Sequence, residues 1–333
     1  MKKFPRFSKD VEMRHNGCRK DKILGKLSVV EFKCSFCPVQ KAYLNDIRKF
    51  IEHDGLIASP KVIKRFACKI EKKYLDWLDE VPKHIARVND VLEEENVFDY
   101  ENFRDLKGRG ANGWGGSLLM KEILKTTHVC PYCNCDIVYA IEFEKARENV
   151  QINVKSAFDH AYPKGRYPFL SLCLYNLLPS CYRCNSQFKR DNFRDSLDSF
   201  HPYIDDVDDA MVFVPRNMSP EVWQGKKDSK NVVIDFCCRE AANSKAATSY
   251  NRLFRLPEVY TQLYKEKAVN IVQKAKVCCE RYTEQVDKWF SEAGIEGFDS
   301  FKFLYGIPDS RDEIDKHLLA KLTLDMIDMV RQG

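Results

Sequence analysis

Cys130-Pro-Tyr-Cys133 and Cys181-Tyr-Arg-Cys184 are two CxxC pairs about fifty residues apart. Each pair can present two thiolates to one tetrahedral ion at ~2.3 Å, so the four sulfurs close a structural zinc site. Cys135 can stand in for one of them, though its spacing fits less well. Between and just after the pairs lie Phe158-Asp159-His160-Ala-Tyr-Pro163-Lys164, Tyr175-Asn176-Leu-Leu-Pro179 and Asn185-Ser-Gln-Phe-Lys189-Arg190. His160 brings an imidazole, the side chain that exchanges a proton near neutral pH. Asp159 offers the hard oxygen that Mg²⁺ prefers, and Asn185 adds a neutral carbonyl oxygen for the same ion. Hydrolysis of a phosphodiester asks for a base, a cation that neutralises developing charge, and a scaffold that holds both in line.

The Asp-His pair, the central Asn and the CxxC-Asn followed by Lys occur in order with both cysteine pairs in place. This arrangement resembles the HNH, or His-Me finger, endonucleases, in a variant with Asn in place of the last His. The resemblance covers about sixty residues. It implies a ββα-metal finger with His160 near the end of the first strand and Asn185 opening the helix. The zinc would tie the segment before the first strand to the turn before the helix, replacing the core that so small a module cannot build. It further implies that His160 is the general base, that Asp159 and Asn185 hold Mg²⁺ or Mn²⁺, and that Asn176 steadies the loop carrying the base. Lys189 and Arg190 are expected on the exposed side of the last helix, close to that ion. With Lys164 and Arg166 on the intervening loop, they are the expected phosphate contacts.

The activity so implied is metal-dependent cleavage of DNA, with double-stranded DNA as the expected substrate. An RNA-cutting or structure-selective nuclease is the alternative, because such a finger reads backbone geometry rather than base sequence. A zinc-binding nucleic-acid or protein adaptor without catalysis is a third reading, against which the presence of base, ligand and central Asn speaks. More loosely, the helical arm, Tyr167-Pro-Phe-Leu-Ser-Leu172 before Asn176 and a helical tail containing His317 are similar to the Septu-type HNH component of bacterial anti-phage systems. That component works beside an ATPase, so the likeness implies an ATPase partner and an antiviral role. Oligomeric state is left open.

The elements that must position these residues are legible from periodicity. Ile63, Phe66, Ile70, Tyr74 and Leu78 recur at spacings of three and four, which makes one apolar helical stripe. The period returns at Leu263, Ile271, Ala275, Cys278, Tyr282, Val286 and Trp289, and again at Leu318, Leu322, Met326 and Met329, where Ser310 and Glu313 suggest a capping box. The glycine-dense stretch Gly108 to Gly116 cannot hold a helix cheaply and reads as a linker before a helix at Leu118 to Leu124. Ile137 to Phe143, Ser156 to His160 and Leu172 to Leu178 read as strands. The expected class is α+β: a mainly helical region over residues 1–117, a zinc-stapled finger over 118–207 and a helical region over 208–333.

Composition bounds the rest. The 333 residues, 44% of them hydrophobic and 31% charged, make an ordinary folded chain, and the net charge of +5 is too dilute to point to a polyanion by itself. No segment approaches the ~18 uninterrupted apolar residues of a membrane span, and no export signal is apparent, so a cytoplasmic protein is expected. Fourteen cysteines in such a chain point to metal binding or burial rather than disulfides. His15, Cys18, Cys34 and Cys37 form a second, weaker HxxC and CxxC candidate for zinc. His201 either stacks in the core or contributes to the site.

Overall fold

The computed structural model describes residues 1–105, 113–145, 150–190, 192–226, 228–278 and 280–332. The chain is α+β, with helices predominating and strands confined to short antiparallel pairs. It divides into two compact units that are discontinuous in sequence. One comprises residues 4–126 and 138–204; the other comprises 1–3, 127–137 and 205–333.

The first of these units opens with helices α1 (Lys9–Gly17), α2 (Lys20–Lys33), α3 (Pro38–Glu52), α4 (Pro60–Ile70), α5 (Lys83–Glu94), α6 (Tyr100–Asp105) and α7 (Gly116–Ile123). Two of them begin with proline at the first helical position, where the missing N–H is not needed. In α3 the amide of Cys37 donates to Gln40 Oε1 at 2.9 Å, closing a reciprocal cap. The stripe Ile63, Phe66, Ile70 and Tyr74 is buried as its spacing requires, and Phe66 stacks on Phe50 at 4.1 Å. Leu78 is not part of it: α4 passes into a π turn over Glu71–Leu75, and Asp76 and Trp77 take left-handed φ values of 48° and 56°, leaving Leu78 51% exposed. Of the glycine-rich stretch, residues 108–112 lie outside the described residues.

Strand β1 (Ala140–Lys145) pairs with β2 (Val150–Lys155), and β3 (Ala157–His160) pairs with β4 (Leu177–Ser180), each antiparallel. The register of the second pair sets His160 opposite Leu177 and Asp159 opposite Leu178. The strand expected at Leu172–Leu178 therefore starts five residues late. Residues 168–170 and 174–176 wind into 3₁₀ turns, whose N–H groups bond three residues back, as Cys173 to Leu170 and Asn176 to Cys173 do. After β4 the chain enters a π-helical segment, Arg183–Lys189, and then α8 (Phe193–Asp198). The loop between β3 and β4 rests on the N-terminal helices: Phe169 meets Phe66 at 5.4 Å and Tyr43 at 6.2 Å, both edge-on.

The second unit holds α9 (Val207–Ala210), α10 (Pro220–Trp223), α11 (Ser244–Phe254), α12 (Leu256–Val277), α13 (Glu280–Glu292), α14 (Ser300–Tyr305) and α15 (Ala320–Gln332) around the antiparallel pair β5 (Met211–Arg216) and β6 (Val233–Cys238). The long stripe from Leu263 to Trp289 is broken at Cys278, where α12 ends, and Leu263, Tyr282 and Trp289 are exposed. Ser310 caps no helix with its hydroxyl, and precedes a 3₁₀ segment, Arg311–Lys316, rather than α15. Lys321 is fully buried and lies 2.9 Å from both Asp208 Oδ1 and Asp325 Oδ2, so its charge is matched where water cannot reach it.

Candidate functional site

The four cysteines of the CxxC pairs are buried, and one sulfur from each lies within 4.8 Å of the others. In each pair a backbone bond four residues back closes the chain around the cysteines. Asn134 N–H donates to Cys130 O at 2.8 Å, and Asn185 N–H donates to Cys181 O at 3.1 Å. Asn134 takes φ 53°, which its short polar side chain tolerates. Four soft, buried thiols at this spacing are a donor set that can hold a metal such as zinc. Cys135 is buried but is not one of the group.

His15, Cys18, Cys34 and Cys37 are not brought together into a further group among the described residues. His15 is instead a structural residue. Its Nε2 bonds Leu172 O at 2.7 Å, its Nδ1 accepts from Trp114 Nε1 at 3.1 Å, and burial lowers its pKa to about 3. His201 is likewise buried, against Tyr162 at 5.5 Å and Tyr203 at 6.1 Å, and does not line the cleft described next.

Asp159, His160, Lys164, Asn185 and Arg190 line one open cleft of about 260 Å³. His160 sits at the end of β3, and its Nε2 lies 3.0 Å from Ser171 O. A carbonyl only accepts, so Nε2 carries the proton and Nδ1 is the ring's acceptor. Burial pushes the imidazole's pKa down to about 3, so it is neutral through the ordinary pH range rather than titrating near 7. Asn176 is fully buried and ties down the chain that follows His160. Its Oδ1 accepts from Tyr162 N at 2.7 Å, its Nδ2 donates to Tyr162 O and Leu170 O at 3.1 and 2.9 Å, and its backbone O accepts from Ala161 N at 2.9 Å.

Two of the expected phosphate contacts are placed otherwise. Lys189 is 3% exposed, not on an outer helix face. Its ammonium lies 3.0 Å from Asp159 Oδ1 and 2.5 Å from His160 O, since a buried carboxylate draws in a buried cation. Arg166 is 6% exposed and pairs through Nε and Nη2 with both oxygens of Glu71 at 2.6 and 2.7 Å. Tyr167 Oη donates to the same carboxylate at 2.6 Å, so the loop after His160 is anchored to the π turn after α4. Arg166→Met strands the Glu71 charge and is expected to lower stability by about 3–5 kcal/mol. The double variant Arg166→Met, Glu71→Leu should lose markedly less. Equal denaturation midpoints for Arg166→Met and wild type would show that the pair does not anchor the loop.

One wall of the cleft was not foreseen: Tyr100, Glu101 and Arg104 of α6. Tyr100 packs edge-on against the His160 ring at 4.5 Å. Their local sequence reads as a short polar helical turn, and only the tertiary fold brings it to β3. No protein-family model, curated protein or solved structure matches the chain. No helix among the described residues is long and apolar enough to cross a membrane.

Proposed function

We propose that this chain is a metal-dependent nuclease that hydrolyses phosphodiester bonds of DNA, with His160 as general base. The observation that carries the reading is a neutral imidazole, its acceptor nitrogen fixed by the bond to Ser171 O, on the same cleft as Asp159 and Asn185. Nδ1 can then take the proton of an attacking water, and a bound polyanion offsets the cost of the imidazolium that forms. Asp159 and Asn185 supply hard oxygens on that cleft, which suits Mg²⁺ or Mn²⁺, and such an ion would neutralise charge on the phosphate and the leaving oxygen. Asn176 holds the backbone after the base, and Lys189 holds Asp159 in place. The β3–β4 pair followed by a helical segment with both CxxC turns is consistent with an HNH-type finger. The wider proposal, an anti-phage effector acting in the cytoplasm with an ATPase partner, rests on the looser likeness of the flanking segments.

Supercoiled plasmid incubated with the zinc-replete protein should be nicked or linearised when Mg²⁺ or Mn²⁺ is added, with a structured RNA as parallel substrate. Asp159→Asn should weaken the response to metal, and raising the metal concentration should restore part of the rate. Asn is the informative replacement, because its Oδ1 can still accept from the buried Lys189 ammonium, a bond that Ala would remove together with the charge. Absence of cleavage of both nucleic acids with either ion would sink the nuclease reading.

A further inference from the structure

The α6 wall of the cleft carries charges that neither the base nor the metal ligands account for. Glu101 bridges two cations. Its Oε1 lies 2.9 Å from Lys164 Nζ, and its Oε2 pairs with Arg104 Nη1. Arg104 is further held by Asp105, whose two carboxylate oxygens receive Nε at 2.8 Å and Nη2 at 2.9 Å. The side chains of Arg104, Lys164 and Glu101 are 43%, 48% and 55% exposed.

We infer that Arg104 and Lys164 form a clamp for a backbone phosphate of the nucleic acid, and that Glu101 is the internal carboxylate which that phosphate displaces. The inference rests on the nuclease reading and names where its substrate is gripped. Two cations brought to the two oxygens of one carboxylate are spaced to meet two oxygens of one phosphate. Ion pairs this exposed contribute little net stability, so exchanging Glu101 for a phosphate costs little. Backing for the clamp comes from Tyr100. The Lys164 ammonium lies 5.0 Å from the centroid of that ring, and the same ring packs against His160. A phosphate held by the pair therefore lies beside the base, as a neighbour of the bond to be cut requires. Arg104 comes from α6 and Lys164, sixty residues later, from the loop after β3, so the clamp exists only in the folded unit.

Binding is measured with zinc-replete protein and no added Mg²⁺ or Mn²⁺, on fluorescent DNA and RNA duplexes of equal length, across a series of salt concentrations. Glu101→Gln removes the competing charge and should tighten binding about threefold or more at low salt. The double variant Arg104→Ala, Lys164→Ala should weaken binding about tenfold and reduce the slope of log Kd against log salt by about 1. All three side chains are exposed, and circular dichroism checks that the variants fold. An effect on one duplex and not the other supports the clamp and identifies the nucleic acid it grips. Unchanged or weaker binding by Glu101→Gln, or wild-type affinity and slope in the double variant, overturns the clamp. If the wild-type chain cleaves nucleic acid while these variants bind as it does, the clamp alone fails. If the wild-type chain binds neither duplex, the nuclease reading fails with it.

Discussion

Replacing His160 is expected to reduce cleavage by a factor on the order of 10² or more, the usual scale for loss of a general base. No neighbour stands ready for the role: Asp159 and Asn185 are assigned to the ion, Glu101 is engaged by Lys164 and Arg104, the cations have no lone pair for a proton, and burial raises the pKa of the Tyr100 phenol further. The side chain is buried and bonded to Ser171 O, so His160→Ala also leaves a cavity and an unpaired carbonyl, and its melting temperature should fall by several degrees. His160→Gln, whose longer side chain can bring an amide donor to the position of Nε2, retains a partner for that carbonyl and separates the two effects. It should keep zinc, stability and DNA binding close to wild type and still lose the activity. Added Mg²⁺ or Mn²⁺ should not rescue either variant, which distinguishes loss of a base from loss of a ligand. Wild-type cleavage by both would remove His160 from the mechanism.

The other large effect is expected at the cysteines. Purified under reducing conditions, the protein should carry about one tightly held zinc, and Cys184→Ser should lose it. Serine is a poor ligand at neutral pH, and loss of the zinc leaves three buried thiols with nothing to hold the two turns together. A structural zinc contributes on the order of 10 kcal/mol to small domains that fold around it, so the variant should melt ~10 °C lower or fail to fold. A strong chelator applied to the wild type should reproduce the drop, and zinc should reverse it. A zinc-free wild-type protein with an unchanged melting curve would show that the four thiols are only packed together.

What the sequence discloses about this molecule is what local chemistry and period encode. Two CxxC pairs are recognisable because a metal site fixes ligand type and spacing, and Ser156–His160 reads as a short strand because Pro163, Gly165 and Pro168 break the chain after it. The start of β4 is not legible because Leu172–Leu178 is apolar except for Asn176 and buried throughout, and such a run is equally compatible with a strand and with buried 3₁₀ turns. Lys189 and Arg166 look like surface cations because nothing adjacent in sequence announces Asp159 or Glu71 as their partner; sequence separations of 30 and 95 residues hide both pairs. His15 looked like a ligand because its neighbour is three residues away, whereas Trp114 and Leu172, which occupy its two nitrogens, are 99 and 157 residues distant. Discontinuous units are hidden from a pass along the chain for the same reason.

The first CxxC turn is satisfied by groups that come much later in the chain. Tyr250, Tyr260 and Tyr264 donate their hydroxyls to the carbonyls of Tyr132, Cys133 and Cys135 at 2.6, 2.6 and 3.1 Å, across separations of 118, 127 and 129 residues. Lys321 N–H and Ile314 O take the two ends of the Asn134 side-chain amide from farther still. At ordinary rates of synthesis, ~5–20 residues per second, the ribosome finishes this turn on the order of 10 s before it makes the tyrosines that complete it. During that interval Cys130 and Cys133 belong to a nascent chain whose turn is only half built, and the order in which zinc and the C-terminal helices reach it becomes a question of timing.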